Sequence, residues 1–430
     1  MDTFLIVLIA YLPFQLALNP SAGIDLASIR VLILGAFFVW LAVGLRKKRL
    51  VVKKNIQTGL VITFLFLNVL SLLVARNTDW SSRKLLFLFS IFPVYFVASQ
   101  AVNKREKILK ASQTIVFSAT AAATVGLVQF FAQFLFGLES VYKFWADHVI
   151  EPFLGKTFAA AVLQNPSWLV NISGKTYLRA TATFPDPHMF SFFLGLVIPL
   201  ALALAVLSEK KIFYSLALVI LLLADAATFS RGGYLGLFAG LVLAITLSWP
   251  RLKKVPKVLA AGLAVLLAVI LIIPNPVSKR YFSSFDLKEG SNEGRMEMWQ
   301  KAVSIALNNP LNGVGIGNYP LEIKPGASYR DPIYAHNTYL DIAAETGILS
   351  TLAFLGILIF AIKSFLKKSR ESLIFLASAI SLTIFAIHSL VETAIYSPVV
   401  LTLFLIIVSF SNAEEKNKPD KNFGAYVLPR

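Results

Sequence analysis

Twelve apolar runs constrain this chain more than any other feature. A helix needs about 20 mostly apolar residues to cross a bilayer, and runs of roughly that length recur along the whole sequence. Because unpaired backbone polar groups are costly in lipid, such runs must be helices, and they are too uniformly apolar for membrane barrel strands. The predicted spans lie at about 3–18, 27–45, 56–75, 85–102, 112–137, 185–207, 212–229, 233–249, 258–274, 338–362, 372–390 and 396–412.

Composition agrees with the apolar runs, since 57% of the residues are hydrophobic and only 15% are charged, unlike an ordinary soluble domain. We therefore predict an all-α integral membrane protein with about 12 transmembrane helices, forming a single polytopic domain over residues 1–430. The first run follows Asp2 without a basic segment, so we expect a retained helix rather than a cleaved signal peptide. With no cysteine, the chain can form neither disulfides nor thiolate sites.

Lysine and arginine are concentrated in alternate connections between the runs. Because basic loops stay in the cytoplasm, both termini are predicted to be cytoplasmic. The formal charge of +17 is then explained by topology and by contact with anionic membrane lipids, without a nucleic-acid partner. The basic segments are RKKRLVVKK (46–54), NKREKILK (103–110), SEKK (208–211), PRLKKVPK (250–257), KSFLKKSR (363–370) and the tail at 413–430.

Two long loops lie on the opposite, outer side. Residues 138–184 are rich in Trp, Phe and Pro, which suits the headgroup layer, and residues 275–337 contain a predicted amphipathic helix lying on the membrane surface. We thus expect short surface helices in these loops. The helix pattern consists of an N-capping Asn292, apolar residues at Met296, Trp299, Val303 and Leu307, and a stop at Asn309-Pro310.

Three of the arginines on the predicted outer side stand out, because positive charge is generally avoided on that side: Arg179, Arg231 and Arg295. Arg231 is flanked by Ser230 and two glycines, which let a bulky anion approach the backbone. Their ordinary interpretations are a solvated loop charge for Arg179, a side chain reaching the interface for Arg231 and a headgroup contact for Arg295. Their shared side favours an anion-binding site instead.

Histidines near these arginines indicate proton transfer. His336, which precedes a helix carrying Glu345, is of the type that exchanges a proton near neutral pH, although helix capping is its ordinary alternative. His188 begins the sixth run and is expected to line the cavity. His388 and Glu392 are four residues apart at the outer end of the eleventh run, where a functional pair and a structural pair are equally expected.

Neither a metal nor a nucleotide site is indicated. The outer segments contain no DxD motif and no carboxylate pair with metal-ligand spacing, so we expect no metal and no cofactor. GVGIGN at 313–318 follows no predicted strand, and its glycines therefore predict a tight turn rather than a dinucleotide loop.

Four segments in order resemble the motifs of the O-antigen ligase and O-antigen polymerase superfamily, which includes bacterial protein O-oligosaccharyltransferases. The resemblance covers about residues 179–360, and His188 stands where the family typically has Asn. The segments are RATATFPDPHMFSFFLG, SRGGYLGLFAG, RMEMWQKAVSIALNNPLNGVGIGNYP and AHNTYLDIAAETGILSTLAFLGIL.

This resemblance implies a glycosyltransferase of the bacterial inner membrane with its active site facing the periplasm. Its donor would be a glycan on undecaprenyl diphosphate, and its acceptor a hydroxyl of a glycolipid, a glycan or a protein. Arg179 and Arg231 would bind the diphosphate, Arg295 would be a third contact, and His336 would take the acceptor proton. Further substrate contacts are expected from Ser230, His188, Asn337 and Glu345, the last either holding the His336 ring or packing as a polar residue.

Alternatives remain open at two levels. Ligase, polymerase and protein-glycosylating enzymes of the family differ in their acceptor, which leaves no residue signature. A transporter of lipid-linked glycans would place ionisable groups near the middle of the membrane, and Asp225 is the main such candidate. A non-catalytic assembly scaffold is the third option, and the polar clusters at the outer face favour the enzyme over both.

Overall fold

The structure, a computed structural model, describes residues 2–21, 24–48, 50, 52–164, 166–248, 276–282 and 290–414. Helices occupy eleven of the twelve predicted runs, while the run at 258–274 and the tail beyond residue 414 lie outside the described residues. Six of the described helices are long and apolar enough to cross a membrane. A helical multi-pass membrane protein is therefore confirmed, and the number of twelve crossings stays a prediction.

The helices are numbered in chain order within the described residues. They are α1 Asp2–Tyr11, α2 Ser28–Arg46, α3 Ile56–Leu70, α4 Thr78–Ile91, α5 Pro93–Ala101, α6 Arg105–Phe136, α7 Leu138–Phe144, α8 Ile150–Leu154, α9 Lys156–Gln164, α10 Pro187–Leu207, α11 Lys211–Ala227, α12 Arg231–Ser248, α13 Pro276–Phe282, α14 Gly290–Asn308, α15 Tyr319–Ile323, α16 Thr338–Thr346, α17 Ile348–Lys368, α18 Leu373–His388 and α19 Pro398–Phe410.

The centre of the bundle is formed by α10 and α19. The 18-residue apolar window of α10 is 78% buried, against 28% for that of α2, which is also strongly apolar, so α10 is an interior helix and α2 a peripheral one. Every residue of α19 from Val399 to Phe410 is buried. α10 packs against α6, α11, α12, α18 and α19. Its first turn therefore lies among other helices, on the predicted outer side of the protein.

Two short antiparallel hairpins lie outside the predicted all-α class. Asp25, in the first hairpin, accepts hydrogen bonds from the Phe158 backbone N–H (2.7 Å) and from Arg330 Nη2 (3.2 Å). One carboxylate thus ties the first hairpin to both long outer loops. The strands are β1 Ala17–Ser21 with β2 Ile24–Ala27, and β3 Leu169–Ile172 with β4 Lys175–Leu178.

The amphipathic helix of the second outer loop is α14. The predicted cap at Asn292 is wrong, because the helix begins at Gly290 and places Asn292 in its first turn; the helix ends at Asn308, as the Asn309-Pro310 stop predicts. Ala302 and Ala306 are buried on one side of the helix. A neighbouring stripe is exposed and apolar, which suits contact with lipid: Met296, Val303 and Leu307.

The glycines of GVGIGN form the predicted tight turn. Gly313, Gly315 and Gly317 all have positive φ, at 62°, 92° and 84°. A Cβ atom at Gly315 would lie 2.6 Å from the Ala75 Cα. The glycines therefore provide both a left-handed backbone and a close approach between the second outer loop and the end of the third span.

Candidate functional site

Five segments that are distant in sequence bring the candidate site together. They are the start of α10, the three residues between α11 and α12, the first turns of α14, residues 335–337, and the turn between α18 and α19. Each is a helix end or a connection, so polar groups from all five meet where the apolar helices stop.

His336 is held in an unusual backbone conformation next to a carboxylate. Its φ is +50°, a left-handed value that is uncommon for a residue with a side chain. The backbone is fixed on both sides, because Ala335 N–H donates to Asp341 Oδ1 (2.8 Å) and Thr338 N–H donates to the Ser389 carbonyl (2.9 Å). The His336 side chain remains 37% exposed, so the ring is not fully enclosed by the protein.

Glu392 joins this histidine to an arginine. Its Oε1 lies 2.8 Å from His336 Nδ1, and its Oε2 accepts a hydrogen bond from Arg295 Nη2 at 3.1 Å. The carboxylate raises the pKa of His336 above its ordinary value, against the effect of burial. Burial alone would raise the pKa of Glu392, but the charges of His336, His188 and Arg295 hold it well below its usual range.

Arg231 and Arg295 line one cavity of about 100 Å³. Arg231 is the first residue of α12 and Arg295 lies in the first turns of α14, so two separate elements each contribute an arginine to the lining of this cavity. Pockets that enclose drug-sized ligands occupy roughly 300–1,000 Å³, so this cavity suits a phosphate group rather than a whole glycan. The remaining lining is mainly apolar: Gly232, Leu235, Asn292, Met296, Trp299 and Val391.

Arg179 contacts the backbone of the turn that precedes Arg231. It is buried, and it donates through Nε to the Thr228 carbonyl (2.7 Å) and through Nη1 to the Ser167 carbonyl (2.9 Å). Its Nη2 is buried without a hydrogen-bond partner in the described part of the chain. Arg179 therefore holds the turn that precedes Arg231. Its direct contact with the diphosphate stays a prediction, for which Nη2 is the first candidate atom.

Ser230 and two histidines extend the polar network inwards. Ser230 Oγ lies 3.1 Å from His188 Nδ1 and 3.3 Å from His388 Nε2, and the same nitrogen of His188 is 4.0 Å from Glu392 Oε2. His388 is buried and stacked on Phe192, with ring centroids 3.6 Å apart. His188 and Ser230 thus lie next to Glu392 and the buried His388, while their contacts with substrate stay a prediction.

Two residues that the sequence predicted as substrate contacts have partners within the protein. Asn337 caps α16, because its side-chain oxygen accepts from the Tyr339 and Leu340 N–H groups. Glu345 does not hold the His336 ring: its oxygens accept from Lys84 Nζ (2.7 Å) and Tyr396 OH (2.7 Å). Glu345 lies two turns along α16 from the helix start, so the carboxylate beside His336 comes from another segment.

Sequence reasoning considered that carboxylate, Glu392, only as half of a pair with His388. The prediction that His388 and Glu392 lie on one face of a helix is wrong, because α18 ends at His388 and Glu392 lies in the following turn. The useful signal was an ionisable residue next to an apolar run, which is a functional candidate by default. Within the described ranges no group of three or more histidines and carboxylates is arranged to hold a metal ion.

Comparison with protein families gives one result for this chain. The O-antigen ligase family model matches residues 216–355, about a third of the sequence, and no curated protein is similar enough to count as a match. Arg231, Arg295 and His336 fall inside the matched range. Glu392 lies beyond it. At the level of the family, the match supports a membrane glycosyltransferase, and the resemblance to the O-antigen ligase superfamily that the four motifs indicated is thereby confirmed over the matched residues.

Proposed function

We propose that this protein transfers a glycan from an undecaprenyl-diphosphate carrier to an acceptor hydroxyl at the outer face of the bacterial inner membrane. One observation carries the proposal: Arg231 and Arg295 line one cavity, and Arg295 shares Glu392 with His336. An anion-binding pair and a proton acceptor therefore lie side by side. These are the two functions that glycosyl transfer from a diphosphate needs.

The arginines act on the leaving group. As the bond between the sugar C1 and the diphosphate oxygen breaks, its electron pair stays on the diphosphate, and fixed guanidinium groups stabilise that charge in the transition state. A hydrogen bond to a charged group contributes about 1.5–3 kcal/mol, so two arginines account for a rate increase on the order of a thousandfold or more. Arginine would supply the charge that a divalent metal supplies elsewhere, so we expect no metal requirement.

His336 acts on the acceptor. An ionised carboxylate only accepts hydrogen bonds, so Glu392 fixes the hydrogen of the neutral ring on Nδ1 and leaves the lone pair on Nε2. The Nε2 atom takes the hydroxyl proton while the acceptor oxygen bonds to the sugar C1. Acceptor–glycan and lipid diphosphate are the products, and the proton remains on His336 until solvent removes it.

The lipid of the donor has a matching surface. Leu235, Met296 and Trp299 line the cavity beside the two arginines, and the exposed stripe of α14 continues from Met296 to Val303 and Leu307. A phosphate bound here can therefore carry a polyprenyl chain that stays in the membrane. We assign Arg179 to the turn that presents Arg231, and His188 and Ser230 to polar contacts next to the diphosphate.

Transport of the same lipid-linked glycan is the competing function. It needs ionisable groups near the middle of the membrane. Asp225 is the residue that the sequence offered for this role. It lies at the end of α11, close to the turn that precedes Arg231, and accepts a hydrogen bond from Ser191 there (2.6 Å). The acidic group that favoured transport thus belongs to the end of the bundle that carries the arginines.

The activity is tested in proteoliposomes that contain the purified protein and a lipid-diphosphate glycan. Three acceptors are offered separately: lipid A-core, a second carrier-linked glycan and a serine-containing protein. Transfer to one of them supports the proposal and identifies the member of the family as ligase, polymerase or oligosaccharyltransferase. The rate should be unchanged by EDTA. Movement of the donor across the bilayer without any new glycosidic bond would instead support transport.

A further inference from the structure

We propose that Glu392 is the positioning residue of His336, fixing its ring orientation and hydrogen position while holding Arg295 at a set distance from it. This inference rests on the proposed role of His336 as the base. Glu392 lies outside the matched family range and outside the four motif segments, and the sequence related it to His388 and not to His336.

The geometry around Glu392 is that of a fixed support rather than a mobile surface charge. Its backbone carbonyl accepts from Thr338 Oγ1 (3.0 Å), and the Thr393 N–H donates to its Oε1 (3.1 Å). Thr338 Oγ1 also accepts from the Ala394 N–H (3.2 Å). The first residue of α16, two positions after His336, thus fixes the turn that carries Glu392.

Charges from four elements surround this pair. Arg295 comes from α14, Asp341 from α16 and His188 from α10, while Glu392 itself belongs to the turn after α18. Asp341 is engaged by the Ala335 N–H and by Thr393 Oγ1, so Glu392 is the carboxylate in contact with the His336 ring. Only 7% of Glu392 is exposed, and loss of its charge would therefore change the ring environment directly.

Glu392→Gln keeps the shape of the side chain but removes its charge, and Glu392→Asp keeps the charge on a shorter stem. Glu297→Gln is the matched control, because Glu297 is an exposed carboxylate on α14 that pairs with Lys301 (2.6 Å). We expect Glu392→Gln to lower kcat on the order of 100-fold and to move the acidic limb of the pH–rate profile to lower pH. Glu392→Asp should recover part of the rate.

A second readout is independent of transfer activity. The chain has four histidines, so 15N-histidine labelling gives few signals, and His336→Asn assigns the one of interest. The pKa of His336 should fall in Glu392→Gln and stay unchanged in Glu297→Gln. An unchanged His336 pKa, or a kcat within twofold of the parent protein, overturns the positioning role. If the parent protein transfers to no acceptor, the proposed function fails, and the titration still decides whether Glu392 controls the ring.

Discussion

Arg295 Nη2 lies 3.1 Å from Glu392 Oε2, and this ion pair joins the surface helix α14 to the turn after α18 across 97 residues of sequence. Both side chains are largely buried, so the guanidinium group is held in place before any anion arrives. A group that is already oriented needs no reorganisation as charge develops on a leaving group. The pair therefore prepares Arg295 for the role we propose.

Loss of either cavity arginine should remove much of the activity. We expect Arg231→Gln and Arg295→Gln each to lower the transfer rate about 10²–10³-fold, as removal of one preorganised donor typically does. Lysine should restore only part of the rate, because an ammonium group lacks the planar fork that binds phosphate in a bidentate manner. Initial rates in proteoliposomes give the measurement.

Arg83→Gln is the control for these variants. Arg83 carries the same charge on the same predicted side, but 49% of its side chain is exposed and its partner is Asp79 (3.1 Å). Its transfer rate should remain near that of the parent protein. Equal losses in Arg83→Gln and Arg231→Gln would mean that general surface charge, and not the cavity, is responsible.

His336→Asn should abolish the proton transfer while keeping the fold. Asparagine tolerates the left-handed backbone found at this position better than alanine does, and Arg295 still neutralises Glu392 in the variant. We expect a loss of about 10²–10⁴-fold in rate and an unchanged melting temperature. His148→Gln, in the first outer loop, should retain activity. Near-normal turnover in His336→Asn would show that another group takes the proton.

Transfer by the parent protein should depend on pH through His336. The base works only when unprotonated, and its pKa is raised by Glu392, so the rate should begin to fall at a higher pH than for an ordinary histidine of pKa about 6.5. The contribution of His336 to the stability of the fold should change with pH in the opposite direction to the transfer rate. A raised histidine pKa stabilises the fold at low pH, and this contribution is lost as pH rises through that pKa. Parallel rate and melting curves over about pH 5.5–8.5 test both signs.

Much of the architecture could be predicted because lipid imposes a local rule on each run. Eleven predicted runs contain helices, and the stop at Asn309-Pro310 and the turn at Gly313 depend only on nearby residues. The predicted helix boundaries were less accurate where tertiary contacts decide where a helix ends. The run at 338–362, for example, is divided at Gly347, whose φ is +87°, into α16 and α17.

The partners within the site could not be predicted in the same way. Glu392 meets His336 across 56 residues, and Lys84 meets Glu345 across 261. Which of two carboxylates reaches a histidine depends on how the helices pack, and one sequence carries no record of that. The motif residues Arg231, Arg295 and His336 could be proposed from the sequence because their residue type and their predicted side were informative on their own.

Gly232→Ala should disturb the cavity through packing alone. A Cβ atom there would lie 2.7 Å from Val391 Cγ2 and 2.8 Å from His388 Nε2, so α12 or the turn after α18 must shift. Overpacking of this kind costs about 1–3 kcal/mol. We expect a lower melting temperature and slower transfer, since Arg231 is the neighbouring residue. Gly59→Ala, where nothing lies within 4 Å of the new atom, should leave the transfer rate unchanged and should not lower the melting temperature, because alanine favours the helix.

Glu345 should prove to be a structural residue paired with Lys84. The two side chains are 3% and 13% exposed, and Lys84 Nζ also lies 3.8 Å from the centre of the Tyr396 ring. Removal of one partner leaves the other charge buried, which costs about 3–5 kcal/mol. Glu345→Gln and Lys84→Met should each lower the melting temperature, and the double variant should lose less than the sum of the two.

Because Glu345 does not contact His336, the pKa of His336 should be the same in Glu345→Gln and in the parent protein. A lowered histidine pKa would restore Glu345 to the site that the sequence predicted.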